Sequence, residues 1–209
     1  MNIRGSLVCT IGVAALLLAQ GAVAQEKDSD SQELAKKLTN PVASLISGPY
    51  QFTYAHDYRF DDKGEQFRLN IQPVIPISLG EDWGVISRTI APIIYQDHVV
   101  PLVSDNDQFG LGDIQQSLFF SPKAPGPGGL IWGVGPVASL RTATDDLIGS
   151  GKWSVGPTGV ALMQRGHWTI GVLASHLWSV GGNDDRADVN TTFMQPFIAY
   201  TTSDAWTFT

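Results

Sequence analysis

From Gln66 to Leu79 apolar and polar side chains alternate. Phe67, Leu69, Ile71, Pro73, Ile75, Ile77 and Leu79 share one parity, while Arg68, Asn70 and Gln72 hold the other. A period of two belongs to an extended strand with one dry and one wet face. Leu79-Gly80-Glu81-Asp82 then turns the chain, and Trp83 opens a second run that reaches Tyr95. Each arm has about 13 residues, against roughly 5–6 in an ordinary soluble strand. Roughly 9–11 residues suffice to cross a bilayer at a tilt. The pair therefore reads as one hairpin of a transmembrane barrel.

The pattern recurs along the chain. Expected strands are Gln51–Tyr58, Gln66–Leu79, Trp83–Gln96, Phe109–Ser121, Gly129–Thr142, Lys152–Gln164, His167–Val180 and Val189–Tyr200, with a ninth opening at Ala205. One set of connections is tight or rich in Pro and Gly: Gly80–Asp82, Pro122–Gly128, Arg165–Gly166 and Thr202–Asp204. The other set is longer and acidic: Arg59–Glu65, Asp97–Gln108, Asp145–Gly151 and Gly181–Asp188. Short periplasmic turns alternating with longer outer loops are the layout of bacterial outer-membrane barrels. Aromatic residues gather at strand ends, among them Trp83, Tyr95, Trp132, Trp153, Trp168, Trp178 and Tyr200, as expected of two interfacial girdles. Pro73, Pro76, Pro92, Pro136, Pro157 and Pro196 fall inside strands, where proline removes a ladder donor. They are expected to mark bulges or local breaks.

The N-terminus reads as an export signal spanning residues 1–24. Arg4 supplies the charged start, Leu7 to Leu18 the apolar core and Ala22-Val23-Ala24 the cleavage site. The mature chain is expected to begin at Gln25. Cys9 is the sole cysteine and lies within the signal, too early for a lipid anchor, so processing leaves no thiol. Residues 25–49 read as a polar periplasmic segment with a short helix over Gln32–Thr39. That helix either sits below the barrel or enters its lumen, and a loosely held arm is the plain alternative. Residues 50–209 are the barrel part. Charged residues make up 16% of the chain, below the roughly 25% of soluble domains. The net charge of −7 argues against a nucleic-acid surface.

Charges within strands should face the lumen, because a charge in the lipid band costs about 2–4 kcal/mol at the midplane. Arg68, Asn70, Gln72, Arg88, Asp113, Gln115 and Arg141 are therefore the expected lumen or constriction residues. Arg88 is expected to meet Asp113 on the neighbouring antiparallel strand. Such a set either selects solutes or fills a narrow barrel with its own polar network. His176, in SHLWS, would need a serine and an orienting group to act as a hydrolase; Ser175 points to the opposite face of a strand, so an interfacial histidine is expected. The acidic pairs Asp145-Asp146 and Asp184-Asp185 match no calcium-loop spacing and read as solvated outer loops. The sequence assigns no catalytic residue, metal ligand or cofactor.

The segments NPVASLIS, NIQPVIPISL, DWGVISRTIAPIIYQD, GLGDIQQSLFFSPKAP, WGVGPVASLRTATDDLIGSGKWSVGPTGVAL and HLWSVGG resemble a proteobacterial outer-membrane "transporter" family. That family often carries the mislabel neuromedin U, and it is similar to the meta-pathway phenol-degradation outer-membrane family. The resemblance covers Leu34 to Thr209. It implies an all-β antiparallel transmembrane barrel of about 12 strands when complete, of which eight to nine would be present, the chain ending as a C-terminally truncated fragment. It further implies residence in the outer membrane of a Gram-negative cell, among lipids and lipopolysaccharide, after delivery to the barrel-assembly machinery. The expected function is passive or facilitated passage of small molecules, aromatic or apolar ones by the family's name. The alternative is a structural or adhesive barrel with a plugged lumen. The enzyme reading ranks last.

Overall fold

The computed structural model of the protein describes residues 8–13, 27–58, 64–99 and 107–209. Its elements in chain order are β1 (Val8–Val13), α1 (Lys27–Leu38), β2 (Tyr50–Tyr58), β3 (Gly64–Ile71), β4 (Val74–Leu79), β5 (Trp83–Asp97), β6 (Gln108–Leu111), β7 (Ile114–Pro122), β8 (Leu130–Leu140), β9 (Lys152–Arg165), β10 (Trp168–Gly182), β11 (Asn190–Thr201) and β12 (Thr207–Phe208). Among the described residues strand accounts for 63% and helix for 7%, which makes the fold all-β. No helix among the described residues is long and apolar enough to cross a membrane.

All strands join one antiparallel sheet in the order β1-β2-β3-β5-β7-β8-β9-β10-β11-β12, with β4 and β6 both paired to β5. β4 continues the line of β3, and β6 the line of β7. The sheet, ten staves in this order, curls into a half-barrel. Every strand expected from the alternation is present to within about two residues. Two of them are interrupted. Gln66–Leu79 breaks at Gln72-Pro73, because proline has no N–H to give to the ladder. The Pro73 carbonyl still accepts the Thr89 N–H at 3.0 Å, so the chain kinks without leaving β5. Phe109–Ser121 breaks at Gly112-Asp113. Pro136 lies opposite Pro157, two missing donors facing each other, and the β7–β8 ladder is interrupted beside them between the Ser117–Val137 and Phe120–Val134 pairs. The expected local breaks thus occur at Pro73, beside Pro136 and at Pro157, where the β9–β10 ladder skips, while the ladders run on unbroken through Pro76, Pro92 and Pro196.

The helix starts five residues earlier than expected, at Lys27 rather than Gln32. A Glu33–Lys37 ion pair of 2.8 Å supports its exposed face. β1 lies within the segment read as an export signal and pairs with β2 from Val8–Ala55 to Val13–Tyr50. The expected cleavage site at Ala24 and parts of the Arg59–Glu65 and Asp97–Gln108 connections fall outside the described residues.

Val42, Val74, Ile86, Phe119, Val160, Leu162 and Leu173 form the buried core on the concave face. α1 lies at the end where the short turns are: Gln32 Nε2 donates to the Thr202 carbonyl at 3.3 Å, and Gln164 Nε2 to the Lys36 carbonyl at 2.9 Å. The arm that follows it enters the concavity. Thr39 meets Thr169 at 3.1 Å, Val42 is 5% exposed within the core, and Ser47 bridges to Val74. The helix thus lies at the short-turn end, and it is the arm after it that enters the concavity. The convex face carries Ile75, Ile77, Leu79, Ile170, Val172 and Ile198, all exposed. Trp83, Trp168 and Trp206 stand exposed near the short turns, and Trp153 and Trp178 toward the other end.

Candidate functional site

Register decides which side chains share the concave face. Ile86 belongs to the core, so the even positions of β5 point inward. Across β5, Arg68 opposes Ile94 and Asn70 opposes Pro92 on one side, while Ser117 opposes Arg88 and Gln115 opposes Ile90 on the other. Gln72 is buried in the kink between β3 and β4. Arg68, Asn70, Gln72, Arg88 and Gln115 therefore lie on the concave face. Arg141 sits one residue past β8 and is exposed at its end.

The expected Arg88–Asp113 contact is not made. Arg88 is level with Ser117, four residues from Asp113, which is about 13 Å along a strand. Arg88 Nη2 donates instead to Gln72 Oε1 at 2.6 Å, and Gln72 Nε2 donates onward to Gln51 Oε1 at 2.8 Å. A second relay runs parallel to it. Arg68 Nη2 donates to Gln66 Oε1 at 3.4 Å, Gln66 Nε2 to Gln96 Oε1 at 3.0 Å, and Gln96 Nε2 to Gln108 Oε1 at 3.0 Å. Each relay starts at a guanidinium and has every amide oxygen turned back toward it. Hydrogen bonds in such chains polarise one another.

Asp113 has a different task. Its Oδ1 accepts the Ala143 N–H at 3.2 Å, and its Oδ2 accepts the Ser150 N–H at 2.7 Å and the Ser150 hydroxyl at 2.6 Å. These bonds fold the connection 142–150 onto the sheet, where Gln96 Nε2 also donates to the Leu147 carbonyl at 3.4 Å. The connection read as a free acidic loop is thus bound inward. Asp145 is turned to its own backbone, accepting the Leu147 N–H at 2.7 Å, and Arg186 Nη2 donates to the Gly149 carbonyl at 2.6 Å.

Lys152, buried at 7% exposure, reaches Asp188 at 3.1 Å. The hydrogen bond from Lys152, then one from Ser179, holds the Asp188 carboxyl below its ordinary range. On the convex side, Thr89 donates to Gln116 Oε1 at 2.6 Å and Gln116 Nε2 to the Ser87 hydroxyl at 2.9 Å, a polar trio that satisfies itself. His176 also faces outward: its ring lies 4.2 Å from that of Trp178 and its Nδ1 is 2.7 Å from the Thr192 hydroxyl. Ser175 opposes Thr158 and Phe193 on the other face, so no serine–histidine pair forms. A groove of about 410 Å³ beside His176 is lined mainly by Val134, Pro157, Gly159 and Ala174. Among the described residues no three His, Cys, Asp or Glu side chains converge as metal ligands.

Gln51, Gln66, Gln96, Gln108 and Lys152 were missed as site residues. Gln66 and Gln96 share the parity of Arg68 and Arg88, which could have found them. No protein-family model, curated protein or solved structure matches the chain.

Proposed function

We propose that the chain forms the wall of an outer-membrane β-barrel through which small molecules pass. The observation that carries this reading is the opposition of the two faces. The concave face holds Arg68, Arg88 and two glutamine relays, while the convex face exposes aliphatic residues between tryptophans near both strand ends. A soluble sheet would cover its apolar face; here that face is open, as a lipid-facing wall is. The Ser87–Thr89–Gln116 trio is compatible with lipid because its hydrogen bonds are closed internally. Residues 1–24 act in this reading as the export signal, and lipids, lipopolysaccharide and the assembly machinery are the partners. The sequence resemblance noted above points the same way and is the sole support for aromatic or apolar solutes.

Single-channel recording in a planar bilayer tests the proposal. Discrete conductance steps, with ion preference shifted by Arg88→Ala, are expected; silence from folded protein would overturn it. A structural barrel with a filled lumen is the second reading, and the insertion of Val42 among Ile86, Phe119 and Leu162 favours it.

A further inference from the structure

We propose that the concave face selects anions, small oxyanions and organic carboxylates in particular, and that Arg68 and Arg88 make the selection. The inference rests on the channel reading above. Apart from Arg141, exposed at the end of β8, and among residues whose side chains are described, the charges on or bordering this face in the strand region are Arg68, Arg88, Asp113 and Lys152. Two of the four are already answered. Lys152 is paired with Asp188, and the Asp113 carboxylate is taken up by three donors of the 142–150 connection.

The two guanidiniums have no such answer. Their side-chain partners, Gln66 and Gln72, are neutral, and each accepts a single bond. A guanidinium carries five N–H donors, and each of these two gives one of them to a neutral amide oxygen. Arg68 Nε is shielded from solvent and has no partner. A positive charge withdrawn from water without a counter-charge is unfavourable, and a passing anion relieves that cost. The planar fork of arginine also matches carboxylate oxygens two at a time.

The relays sharpen the preference. Their amide oxygens face the arginines, so the ends of the chains are amide groups reached by N–H donors rather than rows of free carbonyls. Arg68 and Arg88 are level with β5 positions six residues apart, about 20 Å along the strand. They form two stations on a path rather than one closed pocket. The acidity of the whole chain does not oppose them: Asp146, Asp184 and Asp185 are exposed in connections, where physiological salt screens charge beyond about 8 Å.

The test is the zero-current voltage of the folded protein in a planar bilayer, under a potassium chloride gradient and then a potassium acetate gradient. A severalfold preference for chloride and acetate over potassium is expected, lost in the Arg68→Gln/Arg88→Gln double variant. Ser117→Asp, which sets a carboxylate opposite Arg88 and leaves both arginines in place, is expected to move the voltage toward potassium selectivity. Conductance that favours potassium in the parent protein would overturn the anion assignment alone, as would a preference untouched by either variant. Folded protein that never conducts would overturn the channel reading, and the selectivity with it.

Discussion

A carboxylate within a sheet ordinarily answers a cation, and Asp113 answers amides. Its oxygens hold both ends of the 142–150 connection, which passes so close to β6 that a Cβ on Gly110 would run into the Thr144 side chain. Charge-assisted bonds of this kind are worth about 1.5–3 kcal/mol each. Asp113→Asn keeps the shape but turns one acceptor into a donor facing Ser150. It is expected to free the connection, raising proteolytic cleavage within 142–150 severalfold while the strands stay protected. Unchanged cleavage would show that other contacts hold the connection. Alternation does not carry through Asp113: even positions of β6 and odd positions of β7 share the concave face, so the inward parity changes across the Gly112-Asp113 break. The offset of Asp113 from Arg88 along the strands depends on register, which no spacing in this chain prints. For the same reason the partners Gln51 and Gln108, on different strands from the arginines, were not readable.

The strands were the readable elements. Long runs with one apolar face leave little choice of conformation, and the expected ends came within about two residues of those observed. Apolar parity runs straight through Pro73, where proline itself marked the break, whereas the interruption at Gly112-Asp113 had no such mark. The pattern also hid where α1 begins, since Lys27 to Gln32 is polar throughout and shows no face. The arm after α1 is held by a few contacts, of which Val42 is the most buried. Val42→Ala removes two methyl groups and about 1.5 kcal/mol of docking. Backbone exchange across residues 39–47 should then quicken by about tenfold, with larger conductance steps as the arm withdraws. Exchange that stays slow would mean that the arm is anchored elsewhere, at Thr39 or Ser47.

As a whole the molecule exposes an apolar convex face and gathers on its concave side both the two glutamine relays and the apolar cluster around Phe119. The long alternating strands foretold a curled antiparallel sheet with two unlike faces. The inward fold of the 142–150 connection was not foretold, because its composition, two aspartates among glycines and small residues, is equally that of a solvated loop. The relays within the wall have one more property. Neither a guanidinium nor a primary amide exchanges its proton state between about pH 4 and pH 10. Histidines and carboxylates elsewhere change with acidity, yet the links of Arg68-Gln66-Gln96-Gln108 and Arg88-Gln72-Gln51 contain no such group. Ion preference recorded at pH 5 and at pH 9 should therefore coincide, and a reversal between them would place a titrating side chain in the path. The interior keeps one electrical character while the surface takes on that of its surroundings.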